Sequence, residues 1–202
     1  MTKIIDAPPL RKIPAEIARL LGDPVLWRNE SRDQYDATLL AVAISVGARD
    51  IVDWFSVNDV TYHALDARRL QIAKAALILS KQILIVEELL KSTYDPKDAY
   101  TDTLYNISDA RNEARRWATD LAFGTKVDER LATRGHDSAS ILGKAYSLCA
   151  AELQALDKAI ADREFRRMAT LREVQRRDDF LARRLEKASQ QIIDGEFSEA
   201  AE

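Results

Sequence analysis

DIVDWFSVNDVTYHALDARRLQIAKAALILSKQILIVEELL, residues 50–90, decides the fold. Between Arg49 and Pro96 there is neither Gly nor Pro, so nothing in the stretch punctuates a helix. Asp50 can cap its start, and Asp53 adds an anion where the helix dipole welcomes one. At 1.5 Å per residue the segment predicts a helix roughly 60 Å long, several times the ordinary globular length. Tyr62, Leu65, Ile72, Ala76, Leu79, Ile83, Val86 and Leu90 follow alternating three- and four-residue steps, interrupted only at Arg69. That 3.5-residue period lets two helices stay in register. Leu70, Ala73, Leu77 and Leu84 form a second apolar line beside the first. So wide a face needs more than one neighbour to cover it. A membrane span is the competing reading of the richest run, Ala73 to Val86, but Lys74, Lys81 and Gln82 break it. A span needs about 20 nearly uninterrupted apolar residues, so this is core.

The totals agree with long helices. Charged residues make up 31% of the 202, nearly balanced at net −3, with only 6 Gly and 5 Pro. The length suits one or two domains or one elongated helical assembly. The slight negative charge argues against a general nucleic-acid coat. A single cysteine, Cys149, excludes an intrachain disulfide and a cysteine metal cluster, and reads as a small buried hydrophobe. No secretory signal follows Lys3, where Asp6 and two prolines break the apolar stretch; the expected compartment is the cytoplasm, and no membrane association is expected.

Outward from the long helix, residues 1–30 read as an extended arm with a short helix. Pro8 and Pro9 oppose helix, Pro14 suits a first turn, and Gly22 ends the helix through Ile17, Leu20 and Leu21. Trp27 is expected to pin the following loop to the core. Residues 31–135 read as a helical core. Ser31 to Gln34 matches a capping box, and the helix through Tyr35, Leu39, Val42 and Val46 stops at Gly47, which predicts an antiparallel hairpin with the long helix. Thr93 to Ser108 reads as a long connection held against the bundle by Tyr94, Tyr100, Leu104, Tyr105 and Ile107. Ser108 is the expected cap of a helix through Trp117 and Leu121, and Thr125 the cap of a short one ending at Gly135.

Residues 136–193 read as a second long, coiled-coil-like helix from about 139, opened by Ser138. Leu142, Tyr146, Cys149, Leu153, Leu156 and Ile160 keep the step, as do Leu171, Val174, Asp178, Leu181, Leu185, Ala188 and Ile192. Glu164 and Met168 bridge the interval at four-residue steps, the mark of a stutter. At about 80 Å this helix would outrun any partner within its own chain. An acidic tail, residues 194–202, follows. The expected fold is all-α: an elongated bundle with two long helices, about 50–92 and 139–193.

The stretch from Tyr35 through Arg49, Asp50, Trp54 and Asp59 to Asp66-Ala67-Arg68-Arg69-Leu70 resembles a segment in a group of bacterial helical proteins with no established activity. The Arg-rich helix ending in Ile193-Asp194-Gly195-Glu196-Phe197 is similar to theirs. The resemblance covers most of the chain and implies a bacterial cytoplasmic helical protein. It brings no catalytic residues.

Chemistry-bearing motifs are sparse. His63 and His136 are the only histidines, without Glu-x-x-His or His-x-x-x-His spacing, so no metal site is expected. A helical contact of His63 with Asp66 is open, as is a scattered site around Tyr62, His63 and Asp66. His136-Asp137-Ser138 offers adjacency without the convergence a triad needs, and Ser138 serves better as a cap. No phosphate-cradling Gly motif occurs, and Glu87-Glu88 and Asp178-Asp179 read as solvated pairs. No enzyme activity and no cofactor are expected.

The charge layout of the last helix is the sharper signal. Arg163, Arg166, Arg167, Arg172, Arg176, Arg177, Arg183 and Arg184 outnumber the acids between residues 163 and 187. Arg177 and Arg184 flank the seam, positioned for a partner helix's acids, whereas Arg172, Arg176 and Arg183 share the opposite face. Three readings stay open: arginines that keep a seam of Leu171, Val174, Leu181, Leu185 and Ile192 soluble during self-association or partner docking; a stripe that binds phosphate backbones without sequence preference; and a tail that lies on a neighbouring copy's arginines. The first makes the protein a non-enzymatic helical interaction protein, a homo-oligomer or one bound to a protein partner. The second makes it nucleic-acid-associated.

Overall fold

In the computed structural model the described backbone covers residues 12–92 and 103–199, and the described side chains residues 12–92 and 108–187. Every regular element among them is an α-helix: α1 (Ala15–Leu21), α2 (Arg32–Val46), α3 (Ile51–Lys91), α4 (Thr103–Thr119), α5 (Leu121–Ala132), α6 (Ser138–Leu148) and α7 (Ala150–Glu199). The N-terminal arm through residue 11, Tyr94 and Tyr100 of the connection, and residues 200–202 of the tail lie outside the described residues, as do the side chains of Leu104, Tyr105, Ile107 and Ile192. The chain forms two compact units, each discontinuous in sequence or nested: Met1–Ala67 with Ala161–Glu202, and Arg68–Ile160.

The first unit is built around the α2–α3 hairpin. Ser31 Oγ accepts from Gln34 N–H at the start of α2. At the end of α2, Gly47 takes a left-handed conformation (φ 66°) and its N–H closes on the Ala43 and Ile44 carbonyls, a stop that favours glycine. The turn sends α3 back along α2, so Tyr35 near the start of one helix meets Asn58 and Tyr62 well along the other. Tyr35 Oη donates to Asn58 Oδ1 at 2.7 Å, and its ring stands 5.5 Å from that of Tyr62. Leu39, Ala43, Ala48, Trp54 and Val57 complete this core, with Ile17 and Leu21 of α1 against its edge. Burying a Leu or Val of this kind stabilises by about 1.5–3 kcal/mol each. The following loop is tied down by Val25 N–H donating to Tyr62 Oη (3.0 Å) and by Leu26. Trp27, expected to do this, is half-exposed.

The second unit packs the end of α3 against α4, α5 and α6. Ile85, Val86 and Leu90 meet Ala110, Ala114, Val127, Leu131, Ile141 and Ala145 in one buried cluster. Glu87 sits among them at 6% exposure because Lys91 Nζ donates to it at 2.6 Å and Arg111 lies 3.6 Å away. Those cations, Lys91 first, hold its carboxyl below the usual range. In the middle of α3 the expected seam is turned outward. Ile72 and Leu79 are exposed, while Leu70, Ala73 and Leu77 of the second line are half-buried, and Arg69 is itself buried.

Four expected boundaries shift. Helix α4 begins at Thr103, which puts Ser108 inside it. Asp120, not Thr125, caps α5, accepting from Phe123 N–H at 3.0 Å. Gly124 therefore lies within a helix, and the close approach of α4 explains it: a Cβ there would stand 2.8 Å from the Trp117 carbonyl oxygen. The last helix is broken at Cys149, whose backbone (φ −127°, ψ 25°) separates α6 from α7. Asp137, not Ser138, caps α6, accepting from Ser140 N–H. Cys149 is fully buried, its Sγ directed to the Ala145 carbonyl.

Candidate partner-binding face on α7

From Ala161 onward α7 belongs to the first unit, where it runs antiparallel to the start of α3. Two ion-pair positions set the register. Arg163 Nε lies 3.5 Å from Asp66 Oδ2. Fourteen residues later Arg177 reaches Asp50 Oδ2 at 2.5 Å and Asp53 Oδ1 at 3.0 Å. On α3 the same interval runs backwards by thirteen to sixteen residues, as two helices of equal rise require.

Asp50 and Asp53 are also the cap of α3. Asp50 Oδ1 accepts from Val52 and Asp53 N–H, and Asp53 Oδ2 from Arg49 and Asp50 N–H. The bond from the Asp53 amide, followed by the Arg177 guanidinium, holds the Asp50 carboxyl below its ordinary value. Arg177 therefore closes a junction in which helix dipole, cap and guanidinium favour the same charges.

The covered side of α7 steps from Arg163 to Arg167, Thr170, Val174 and Arg177, an uninterrupted alternation of four and three residues. Val174 is buried at 6% and the others are half-buried. The expected stutter residues, Glu164 and Met168, are exposed instead. No stutter is needed, because the half-buried side chains of Arg163 and Arg167 occupy the covered positions of that interval. A search restricted to Leu, Ile and Val passes over them; the step of four and three through Arg163 and Arg167 was the signal available.

Cover ends at Asp178. Every described residue from Asp179 to Lys187 is exposed, including Phe180 (59%), Leu181 (40%) and Leu185 (68%). Of the seam residues named from sequence, Leu171 and Val174 pack within the chain, Leu181 and Leu185 do not, and Ile192 lies outside the described side chains. The arginines divide in the same way. Arg163 and Arg177 are engaged with α3. Arg166 pairs with Asp162 (3.0 Å) and Arg176 with Glu173 (2.8 Å), both along the helix surface. Arg167 is half-buried. Arg172, Arg183 and Arg184 are exposed, the last over the Phe180 ring at 5.8 Å.

His63 and His136 are each half-buried, and Asp66 lies against Arg163. No group of three or more His, Cys, Asp or Glu among the described residues could hold a metal ion. A cavity of about 10 Å³ beneath Tyr35, Asn58 and Tyr62 admits no more than a water. In the second unit an open groove of about 600 Å³ runs between the end of α3 and α6, floored by Ile85, Leu89 and Leu148. Among the described residues no helix is long and apolar enough to cross a membrane. No protein-family model, curated protein or solved structure matches this chain.

Proposed function

We propose that this chain is a non-enzymatic interaction protein that docks a protein partner, or another copy of itself, along the exposed side of α7 beyond Asp178. The observation that carries this reading is the abrupt end of cover on one continuous seam. Val174 is buried, whereas Leu181 and Leu185, seven and eleven residues on, stand in solvent beside Phe180. Solvent-facing Leu at seam spacing costs solubility and is put to use by helix-on-helix docking. Sedimentation across a concentration series, with co-purification from the native host, tests it. The expected result is a complex that Leu181→Glu with Leu185→Glu abolishes while the chain stays folded; a double variant that keeps every complex of the parent protein overturns the reading.

A second reading rests on Arg172, Arg176 and Arg183, which face away from α3 and are all exposed. They form a stripe suited to phosphate backbones, with affinity falling steeply as salt rises. Gel shifts with duplex DNA and RNA at low and moderate salt check it. Changing the three together to Glu is expected to remove any shift, and an unaltered shift rules the stripe out.

A further inference from the structure

Two successive heptads of α7 carry the same four-residue pattern. Val174-Gln-Arg-Arg177 is followed seven residues later by Leu181-Ala-Arg-Arg184. The first copy is seen docked: Val174 is buried, and Arg177 lies between the carboxylates of Asp50 and Asp53. Two heptads earlier on the same flank, Arg163 meets Asp66. The second copy has the same apolar residue in the seam and the same guanidinium beside it. Leu181 is 40% exposed where Val174 is 6%, and the contact made by Arg184 is with its own helix, over Phe180.

We propose that the occupant of this second copy is an amphipathic helix from another protein, with carboxylates along the flank that meets Arg184. This rests on the reading of α7 as a docking helix and names the chemistry of its partner. The intrachain junction supplies the rule: both arginines of this flank that α3 covers, Arg163 and Arg177, are met by carboxylates. A second α7 does not satisfy that rule. With Leu181 and Leu185 in the seam, antiparallel pairing brings Arg184 against the other helix's Arg177 or Arg184, and parallel in-register pairing brings it against the position five residues on, a serine in the sequence. Flanking charges choose partners by such repulsion as much as by attraction. A nucleic acid would satisfy Arg184 but leave Leu181 and Leu185 in water.

Fluorescence anisotropy of the full chain against synthetic amphipathic helices tests the proposal. The peptides share one Leu seam and differ only in flanks of Glu, Gln or Lys. The Glu-flanked peptide is expected to bind tightest, roughly tenfold better than the Lys-flanked one, since the exchange replaces attraction by repulsion. Arg184→Glu should invert that order, and Leu181→Glu with Leu185→Glu should abolish binding of both. Equal binding of the Glu and Lys peptides, or an order that Arg184→Glu leaves unchanged, overturns the proposal. Self-association through this face, lost in the double variant, also overturns it by naming a second copy as occupant, yet leaves the docking reading intact. A double variant that alters neither peptide binding nor self-association brings down both.

Discussion

Arg177 and Asp53 meet at 3.0 Å where the last helix passes the first turn of α3, 124 residues apart in the chain. The Asp53 side chain is only 11% exposed, and Arg49 and Asp50 N–H groups already point at its other oxygen. The contact therefore joins three things: the cap of the long helix, a desolvated carboxylate and the last covered turn of α7.

Removing the guanidinium should leave that carboxylate poorly compensated. Arg177→Ala is expected to destabilise the fold by about 1–3 kcal/mol, moderated because the backbone donors remain. Urea unfolding followed by circular dichroism gives the number. Arg184→Ala, on the uncovered heptad, should stay within about 0.5 kcal/mol of the parent protein.

The same contrast applies to the apolar seam. Val174→Ala should cost about 1–2.5 kcal/mol, because a buried side chain is lost. Leu185→Ala, at 68% exposure, should change the unfolding free energy by no more than about 0.5 kcal/mol despite the larger deletion. Equal costs at the two positions would mean that the distal seam is covered in the isolated chain.

Two helical glycines should respond with opposite signs. Gly124→Ala drives a Cβ towards the Trp117 carbonyl and is expected to destabilise by about 1–3 kcal/mol. Gly143 faces open space, so Gly143→Ala should raise stability by about 0.5–1 kcal/mol through helix propensity. Thermal melts of the two variants decide between these outcomes.

Acid should weaken the fold through a defined set of carboxylates. Asp50, Asp120 and Asp137 lie below their ordinary 3.8 chiefly because backbone N–H groups donate to them, and Glu87 below 4.5 because of Lys91. Between the lowered folded values and the ordinary ones, the unfolded chain binds more protons. Their contribution is thus complete above about pH 5 and is lost as pH falls through the folded values. Unfolding midpoints measured from pH 6 down to 3 should decline. The decline should be shallower in Asp50→Asn, which no longer titrates there.

Much of the architecture was legible because helices announce themselves locally. Absence of Gly and Pro from 50 to 90, Ser31 as a cap and Gly47 as a stop need only neighbouring residues to be read, and the antiparallel α2–α3 hairpin follows from them. Boundaries set by distant contacts were not legible. Gly124 reads as a breaker until α4 is seen pressing against it, and the bond from Val25 N–H to Tyr62 Oη, which holds the first loop, leaves no local signal. In the α7 face, spacing marks Leu181 and Leu185 as seam residues, but of the eight arginines offered as partner or nucleic-acid contacts it does not single out Arg163 and Arg167 as the half-buried ones.

What the amino-acid order alone determined is the all-α class, the two long helices and the repeated apolar-and-arginine pattern of residues 174–184, since each depends on spacing along one helix. Only the tertiary structure decided which copy of that pattern is filled. Register against α3 places Asp50 and Asp53 beside Arg177, and the chain's turn at Gly47 leaves no further α3 for the next heptad to meet. Spacing states what a helix face could bury, and only the position of its neighbour's end states where burial stops.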